Sequence, residues 1–132
     1  MRLQPVPSAH VGHYWPSVES LIEAATARSN GRHSAATIKS ALIDKQMQLW
    51  LVMNNCLNAV IVTELLTYPT GLKVCGFVIV TGENHQKWLR LAEDIKGWAK
   101  ENGCERIEGW ARPGWAKITG WKETHRLIEE GL

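Results

Sequence analysis

A short stretch near the C-terminal end, GCERIEGWARPGW, concentrates side chains that could recognise a ligand. Alternate residues of a strand share a face. One face of this predicted strand therefore carries Arg106, Glu108, Trp110 and Arg112. A glutamate can bridge two arginines, and a tryptophan can stack on a guanidinium. Three interpretations stay open: a small-molecule site for a planar or anionic ligand, a protein interface that includes Trp110, Arg112 and Trp115, and a structural ladder without a partner.

A second candidate for chemistry is Glu64, which lies in the apolar run VIVTELL. Burial among apolar side chains disfavours a charged carboxylate and raises its pKa, which suits a group that accepts a proton. The alternative places Glu64 at the exposed end of a strand, because glutamate is seldom buried.

The histidines and cysteines show no pattern that would bind a metal. The five histidines lack HxxxH or HExxH spacing, and the three cysteines lack a CxxC pair. We therefore predict no metal site. Free cysteines are often buried, so we predict that Cys56, Cys75 and Cys104 are reduced thiols in the core.

Composition describes an ordinary globular protein. The chain has 132 residues, enough for one domain with its own core. Hydrophobic residues make up 45%, charged residues 21%, and the net charge is +2. This balance favours neither a membrane nor a nucleic acid as partner, although basic residues alternate with tryptophans near the C-terminal end. No signal segment and no run near the roughly 20 apolar residues of a membrane span occurs, so we expect a cytoplasmic protein.

Proline and helical periodicity organise the first third of the chain. Pro5 and Pro7 interrupt residues 1–15, which we predict to be an extended N-terminal arm. Pro16 is a favourable first helical residue, and we predict a helix over residues 17–29. Ser34 is the predicted N-cap of a second, short helix.

The remaining residues predict strands and a crossover helix. Alternation from Met47 to Asn54 and the β-branched run LNAVIVTELL predict an antiparallel hairpin. The run LKVCGFVIVTG is apolar on both faces and is the predicted central strand. Next comes an amphipathic helix, which Asn84 could cap and which ends at Gly103. It is followed by the strand RIEGWAR, a short helix over residues 115–119 and a last strand. The strand, helix, strand unit must be parallel, so we predict a single α/β domain over residues 16–132 with a mixed central sheet flanked by helices.

This order of elements resembles the GNAT acetyltransferase superfamily, and more closely the small GNAT-like proteins of tailed-phage genomes. The features that carry the resemblance are HYWPSVESLIEAA, KVCGFVIVTG, LAEDIKGWAKENGC, RIEGWARPGW and ITGWK. The resemblance implies a GNAT-like fold and a base on a central strand, for which Glu64 and Glu108 are the candidates. It also implies a loop after the fourth strand whose backbone N–H groups hold the pyrophosphate of acetyl-CoA. In this sequence that loop contains Val80, Thr81, Gly82, Asn84, His85 and Gln86.

Two functions follow from the resemblance. The first is an acyl-CoA-dependent N-acetyltransferase that uses acetyl-CoA. The second is a non-enzymatic bacteriophage virion or assembly component, without a cofactor, that uses the fold to bind copies of itself or other virion proteins. Glu83 favours the second function, because its carboxylate lies in the anion-binding loop, where like charge opposes binding.

Overall fold

One mixed sheet organises the computed structural model, which describes residues 1–82, 89–111 and 114–132. Within these residues the strands are Arg2–Val6 (β1), Met47–Asn54 (β2), Cys56–Thr67 (β3), Lys73–Gly82 (β4) and Arg106–Gly109 (β5). The α-helices are Val11–Thr26 (α1), Ala35–Ile43 (α2), Ala92–Glu101 (α3) and Gly114–Thr119 (α4). Short 3-10 helices, Ser8–His10 and Leu89–Leu91, precede α1 and α3. The predicted α/β class, with a mixed sheet flanked by helices, is confirmed.

The strand order is β1, β2, β3, β4, β5, with each strand beside its neighbour in sequence. The first four strands are antiparallel, and β4 and β5 are parallel. The predicted β2–β3 hairpin is confirmed, and Asn55 makes its turn with a φ of 63°. Asparagine tolerates this left-handed conformation better than most residues. The middle strand is β3, so the prediction that β4 is central was wrong.

The beginning of the chain differs from the predicted arm and helix. Residues 2–6 form the edge strand β1, which pairs with β2, and α1 begins at Val11. Val11, Trp15, Val18 and Ile22 form one buried face of α1. Burial of this face outweighs the backbone hydrogen bond that Pro16 cannot donate inside the helix. The helix start predicted from Pro16 was therefore wrong.

The second helix begins as predicted. The Ser34 side chain accepts a hydrogen bond from the Thr37 N–H, and the Thr37 side chain accepts one from the Ser34 N–H. This reciprocal capping box satisfies two backbone donors that helix ends leave unpaired. Ile38 and Leu42 then bury the inner face of α2.

Apolar residues cover both faces of the sheet. Helices α1 and α2 pack on one face, where Leu49, Val60 and Val62 are buried. Helix α3 packs on the other face through Ile95 and Ala99, above buried residues that include Ile61 and Cys75. Side chains therefore alternate between the two cores along each strand.

Strands β4 and β5 pair over only part of their length and separate beyond Phe77 and Gly109. Val78 is an extra residue in β4, because Ile79 pairs with Val62 while Phe77 pairs with Thr63. Parallel pairing with β5 covers only residues 74–77 of β4 and ends where Phe77 faces Gly109. A Cβ at Gly109 would lie 3.2 Å from the Phe77 carbonyl oxygen, so glycine permits this last close approach. Among the described residues, no strand covers the β5 side of residues 78–82.

The end of the chain and one cysteine also differ from prediction. Gly120 has a φ of 74° after α4, and residues 120–132 contain no helix or strand, so the predicted last strand is wrong. Cys75 is buried and Cys104 half-buried, but Cys56 is exposed beside the hairpin turn and does not belong to the core. Burial raises the pKa of the Cys75 thiol to about 12, which keeps it protonated and unreactive.

Candidate functional site

Strand register brings the two predicted carboxylates together. Glu64 of β3 pairs with Gly76 of β4, and Gly76 pairs with Glu108 of β5. We call Glu64, Gly76 and Glu108 the carboxylate row. The three residues lie on the sheet face that α1 and α2 cover, because their neighbours Leu65, Cys75 and Ile107 all pack on the α3 side.

Gly76 leaves room between the two glutamates. Their Cα atoms are about 10 Å apart, two strand spacings. A Cβ added to Gly76 would lie 3.3 Å from Glu64 Cγ and 3.6 Å from Glu64 Oε1, so the Glu64 side chain lies across the glycine. The Cβ of an alanine at position 76 would be in tight contact with the Glu64 side chain. The absence of a side chain at Gly76 thus lets the Glu64 carboxylate extend toward β5.

Glu64 is half-buried, and its protonation is altered by its surroundings. Burial raises the pKa of Glu64, the nearby His33 opposes this increase, and the charge of Glu108 adds to it. His33 belongs to the connection between α1 and α2. Within the described residues the Glu64 carboxylate accepts no hydrogen bond. A carboxylate with a raised pKa and no hydrogen-bond donor can accept a proton at a pH nearer neutrality than an ordinary glutamate.

Tyr68 is a site residue that the sequence analysis did not identify. Its hydroxyl donates a hydrogen bond to Glu108 Oε1, although 40 residues separate the two positions. This bond is the main cause that raises the pKa of Tyr68. Tyr68 follows β3 directly, and the length of β3 was the only signal that could have placed it beside the next two strands.

The carboxylate row lies beside the separation of β4 and β5. Phe77 and the extra residue Val78 come directly after Gly76. Crevices at the carboxyl ends of strands, where the sheet topology changes direction, are common ligand sites. Of the predicted cofactor residues, Val80, Thr81 and Gly82 form the end of β4, beyond its pairing with β5. Asn84, His85 and Gln86 lie outside the described residues.

Of the three residues in the predicted interaction surface, the structure describes Trp110 and Trp115. Trp110 is 77% exposed. Trp115 is half-buried and packs against the α3-side core, because α4 directs it there. Arg112 lies outside the described residues. Between described residues, Glu108 accepts a hydrogen bond from Tyr68 and makes no ion pair with Arg106.

Metal ligands and membrane spans are both missing from the part of the chain that the structure describes. No group of three or more His, Cys, Asp and Glu side chains in residues 1–82, 89–111 and 114–132 is placed to hold a metal ion. No helix in these ranges is long and apolar enough to cross a membrane.

Comparison with known proteins finds similarity in structure only. No protein-family model matches the chain, and no curated protein matches it. A crystal structure described as a probable acetyltransferase has a TM-score of 0.72 at 13% identity, and covers 100% of this chain and 97% of that one. An aminoglycoside acetyltransferase from an uncultured soil metagenomic sample, in complex with sisomicin, has a TM-score of 0.69 at 11% identity, with 99% and 95% covered.

A third similar structure is ribosomal-protein-alanine N-acetyltransferase from Brucella melitensis. Its TM-score is 0.64 at 13% identity, and the alignment covers 98% of this chain and 100% of the Brucella protein. Identities this low establish the fold and nothing finer. The chain is a single α/β domain with the fold of the GNAT acetyltransferases, as the resemblance implied.

Proposed function

We propose that this protein is an acyl-CoA-dependent N-acetyltransferase whose general base is Glu64. The observation that carries the proposal is the carboxylate row, which places a glutamate of raised pKa beside the separation of β4 and β5. The similar structures support the proposal, because their descriptions name acetyltransferases that act on amines. Those substrates belong to the other proteins.

The proposed reaction needs one proton acceptor near the amine. The Glu64 carboxylate takes a proton from the acceptor ammonium group, and the freed nitrogen lone pair attacks the thioester carbonyl carbon of acetyl-CoA. The carbon–sulfur bond would then break, the nitrogen would lose its second proton to water as the amide forms, and the thiolate would leave. A thiol has an ordinary pKa near 8.5, so the thiolate can leave and take a proton from water without a dedicated acid. Tyr68 holds Glu108 beside the acceptor position.

Acetyl-CoA would bind along the exposed backbone edge of β4. Residues 78–82 have no strand partner on the β5 side among the described residues. Their backbone groups can therefore pair with the amide groups of the pantetheine arm. We assign Val80, Thr81 and Gly82 to this arm, and Asn84, His85 and Gln86 to the pyrophosphate end.

Calorimetric titration with acetyl-CoA tests the cofactor assignment. We expect micromolar binding to the unaltered protein and loss of that binding in Gly82→Glu, which adds bulk and negative charge at the end of β4. Gly97→Glu is the matched control, because Gly97 lies on α3 and a Cβ added there would meet no atom within 4 Å. No binding at millimolar acetyl-CoA, or equal loss in both variants, would contradict the proposal.

A non-enzymatic role as a protein-interaction module of a phage particle is the second candidate. The exposed Trp110 favours it, since tryptophan often dominates the energy of protein interfaces. The same titration separates the candidates. Absence of acetyl-CoA binding, together with a self-association in size-exclusion chromatography that Trp110→Ala abolishes, would establish the second role in place of the first.

A further inference from the structure

An open groove lies at the edge of the sheet where β1 ends. Val6, the last residue of β1, pairs with Leu49, so the first two residues of β2 extend beyond their edge partner. Pro7 has no N–H to continue the pairing, and the chain turns into the 3-10 helix Ser8–His10. Among the described residues, no strand covers this end of β2. The uncovered end opens into the groove, which we call the β2-edge groove.

The walls of the β2-edge groove are mostly apolar. Its lining side chains include Val11 of α1, Leu42 of α2, Leu49 and Trp50 of β2, and Trp98 of α3. The two indoles pack edge to face, with ring centroids 5.1 Å apart. The volume of about 370 Å³ lies within the range of small-molecule sites, which are usually apolar with a few polar groups. A ligand of this groove therefore needs an apolar body.

One positive charge borders the apolar walls. Of the described residues that line the groove, Lys45 alone is charged, and the neighbouring Asp44 is not part of the lining. Lys45 makes no ion pair with any described residue. An ammonium group at the border of an apolar groove attracts an anion and can donate hydrogen bonds to it. The lining thus favours a ligand with a single negative charge on an apolar body.

Lys45 occupies a backbone position that glycine prefers. It follows α2 with a φ of 64°, in the left-handed region. The Lys45 N–H donates to the Leu42 carbonyl at 3.3 Å, and the Gln46 N–H donates to the Ala41 carbonyl at 2.8 Å. These two bonds form a Schellman motif, whose left-handed residue is usually glycine. Side chains held in a strained conformation are concentrated at functional sites, which agrees with a binding role for Lys45.

Gln48 adds a hydrogen-bond donor whose orientation is fixed from the core. Trp50 Nε1 donates to the Thr63 hydroxyl at 3.0 Å, and that hydroxyl donates to Gln48 Oε1 at 2.8 Å. The carbonyl end of the Gln48 amide is therefore engaged. Its nitrogen donates to no other described residue, and Gln48 lines the groove. Donors that are already oriented bind a ligand at a lower entropic cost.

We propose that the β2-edge groove binds a small monocarboxylate with an apolar body. Lys45 and Gln48 donate to the carboxylate, and the apolar body packs against Leu42, Trp50 and Trp98. The groove lies at the β1 edge of the sheet, whereas β4 and β5 separate at the opposite edge. This binding site is therefore independent of the proposed acetyl transfer.

Calorimetric titration with three ligands of equal chain length tests the charge preference. The ligands are hexanoate, 1-hexanol and hexylamine, which carry a negative, a neutral and a positive head group. We expect hexanoate to bind about tenfold more tightly than 1-hexanol, the effect of one charge-assisted contact, and hexylamine not to bind. NMR spectra of the indole N–H groups locate the ligand. Hexanoate should shift the signals of Trp50 and Trp98, which Trp50→Phe and Trp98→Phe assign.

Two variants then assign the effect to residues. Lys45→Gln should weaken hexanoate binding about tenfold and leave 1-hexanol binding unchanged. Gln48→Glu keeps an acceptor for the Thr63 hydroxyl but adds a negative charge to the groove, so it should abolish hexanoate binding. Lys117→Gln is the matched control, because it removes an exposed lysine charge of α4 that lies outside the groove.

Equal affinities for hexanoate and 1-hexanol, or equal weakening in Lys45→Gln and Lys117→Gln, would overturn Lys45 as the carboxylate-binding group. Absence of hexanoate binding at millimolar concentration would overturn the groove as a ligand site. Shifts confined to indole signals other than those of Trp50 and Trp98 would do the same. Lys45→Gln should bind acetyl-CoA as the unaltered protein does, so each of these results leaves the acetyltransferase proposal standing.

Discussion

Thr63 and Glu64 are adjacent in β3, yet they lie in opposite environments. Thr63 faces the α3 side and is fully buried. Its hydroxyl accepts from Trp50 Nε1 at 3.0 Å and donates to Gln48 Oε1 at 2.8 Å. Glu64 faces the other side and is half-buried, and its carboxylate accepts no hydrogen bond within the described residues.

The difference shows which polar residue serves the fold and which is available for chemistry. A buried hydroxyl with two partners stabilises one arrangement of side chains and has no group left for a ligand. A carboxylate whose pKa is raised by burial, and that lies where two strands separate, is a candidate for a functional group. Four predictions test this comparison.

The largest effect is expected from Glu64→Gln on acetyl transfer. Loss of a general base lowers kcat by about 100-fold or more. Acetyl-CoA binding should be unchanged, because the amide keeps the size of the side chain. Transfer assays and calorimetric titration measure the two quantities. Glu105→Gln, an exposed change just before β5, is the control. Similar kcat values for both variants would show that Glu64 is not the base.

Thr63→Val should destabilise the fold. The change keeps the shape of the side chain but leaves the Trp50 N–H and the Gln48 carbonyl without a partner, at a cost of about 1–3 kcal/mol in the free energy of unfolding. Urea denaturation followed by tryptophan fluorescence measures this loss. Thr67→Val, at the exposed end of the same strand, should change stability by less than about 0.5 kcal/mol. Equal losses of stability in Thr63→Val and Thr67→Val would show that the Thr63 hydrogen bonds do not contribute to the stability of the fold.

The raised pKa of Glu64 predicts a pH-dependent difference in stability. Burial favours the protonated carboxyl, so its contribution to stability is complete below the ordinary pKa of 4.5 and is lost as the pH rises through the higher value in the folded protein. Glu64→Gln cannot ionise and escapes this loss. The melting temperature of the variant minus that of the unaltered protein should therefore be larger at pH 7.5 than at pH 4. A difference that does not change with pH would contradict the raised pKa of Glu64.

The smallest effect is expected from Trp110→Ala. Trp110 follows β5 directly and is 77% exposed, so its loss should change the free energy of unfolding by less than about 0.5 kcal/mol. Trp50→Phe provides the comparison in the buried core, because it removes the indole N–H that donates a hydrogen bond to Thr63 and should therefore cost more stability. Chemical denaturation measures both. A large loss of stability in Trp110→Ala would show that the Trp110 side chain also contributes to the packing of the fold.

Local patterns predicted several elements well. Alternation predicted the β2–β3 hairpin, the capping residue Ser34 predicted the start of α2, and Gly103, with a φ of 84°, follows α3 as predicted. Local preference misled the prediction at Pro16, where the buried face of α1 continues through the proline. It also failed to identify β1, because an edge strand of five residues with a proline has little periodicity of its own.

By itself, the sequence determined the fold class, most of the helices and strands, and Glu64 and Glu108 as the carboxylates to consider, because these depend on short-range periodicity and on residue type. Only the tertiary structure decided that Gly76 separates the two glutamates, that Tyr68 contacts Glu108, and that Glu129 binds beside Arg32. Those contacts join residues up to 99 positions apart, and they depend on strand register and chain path. Register is set by the burial of whole strand faces against α1, α2 and α3, a property that no single segment of the chain carries.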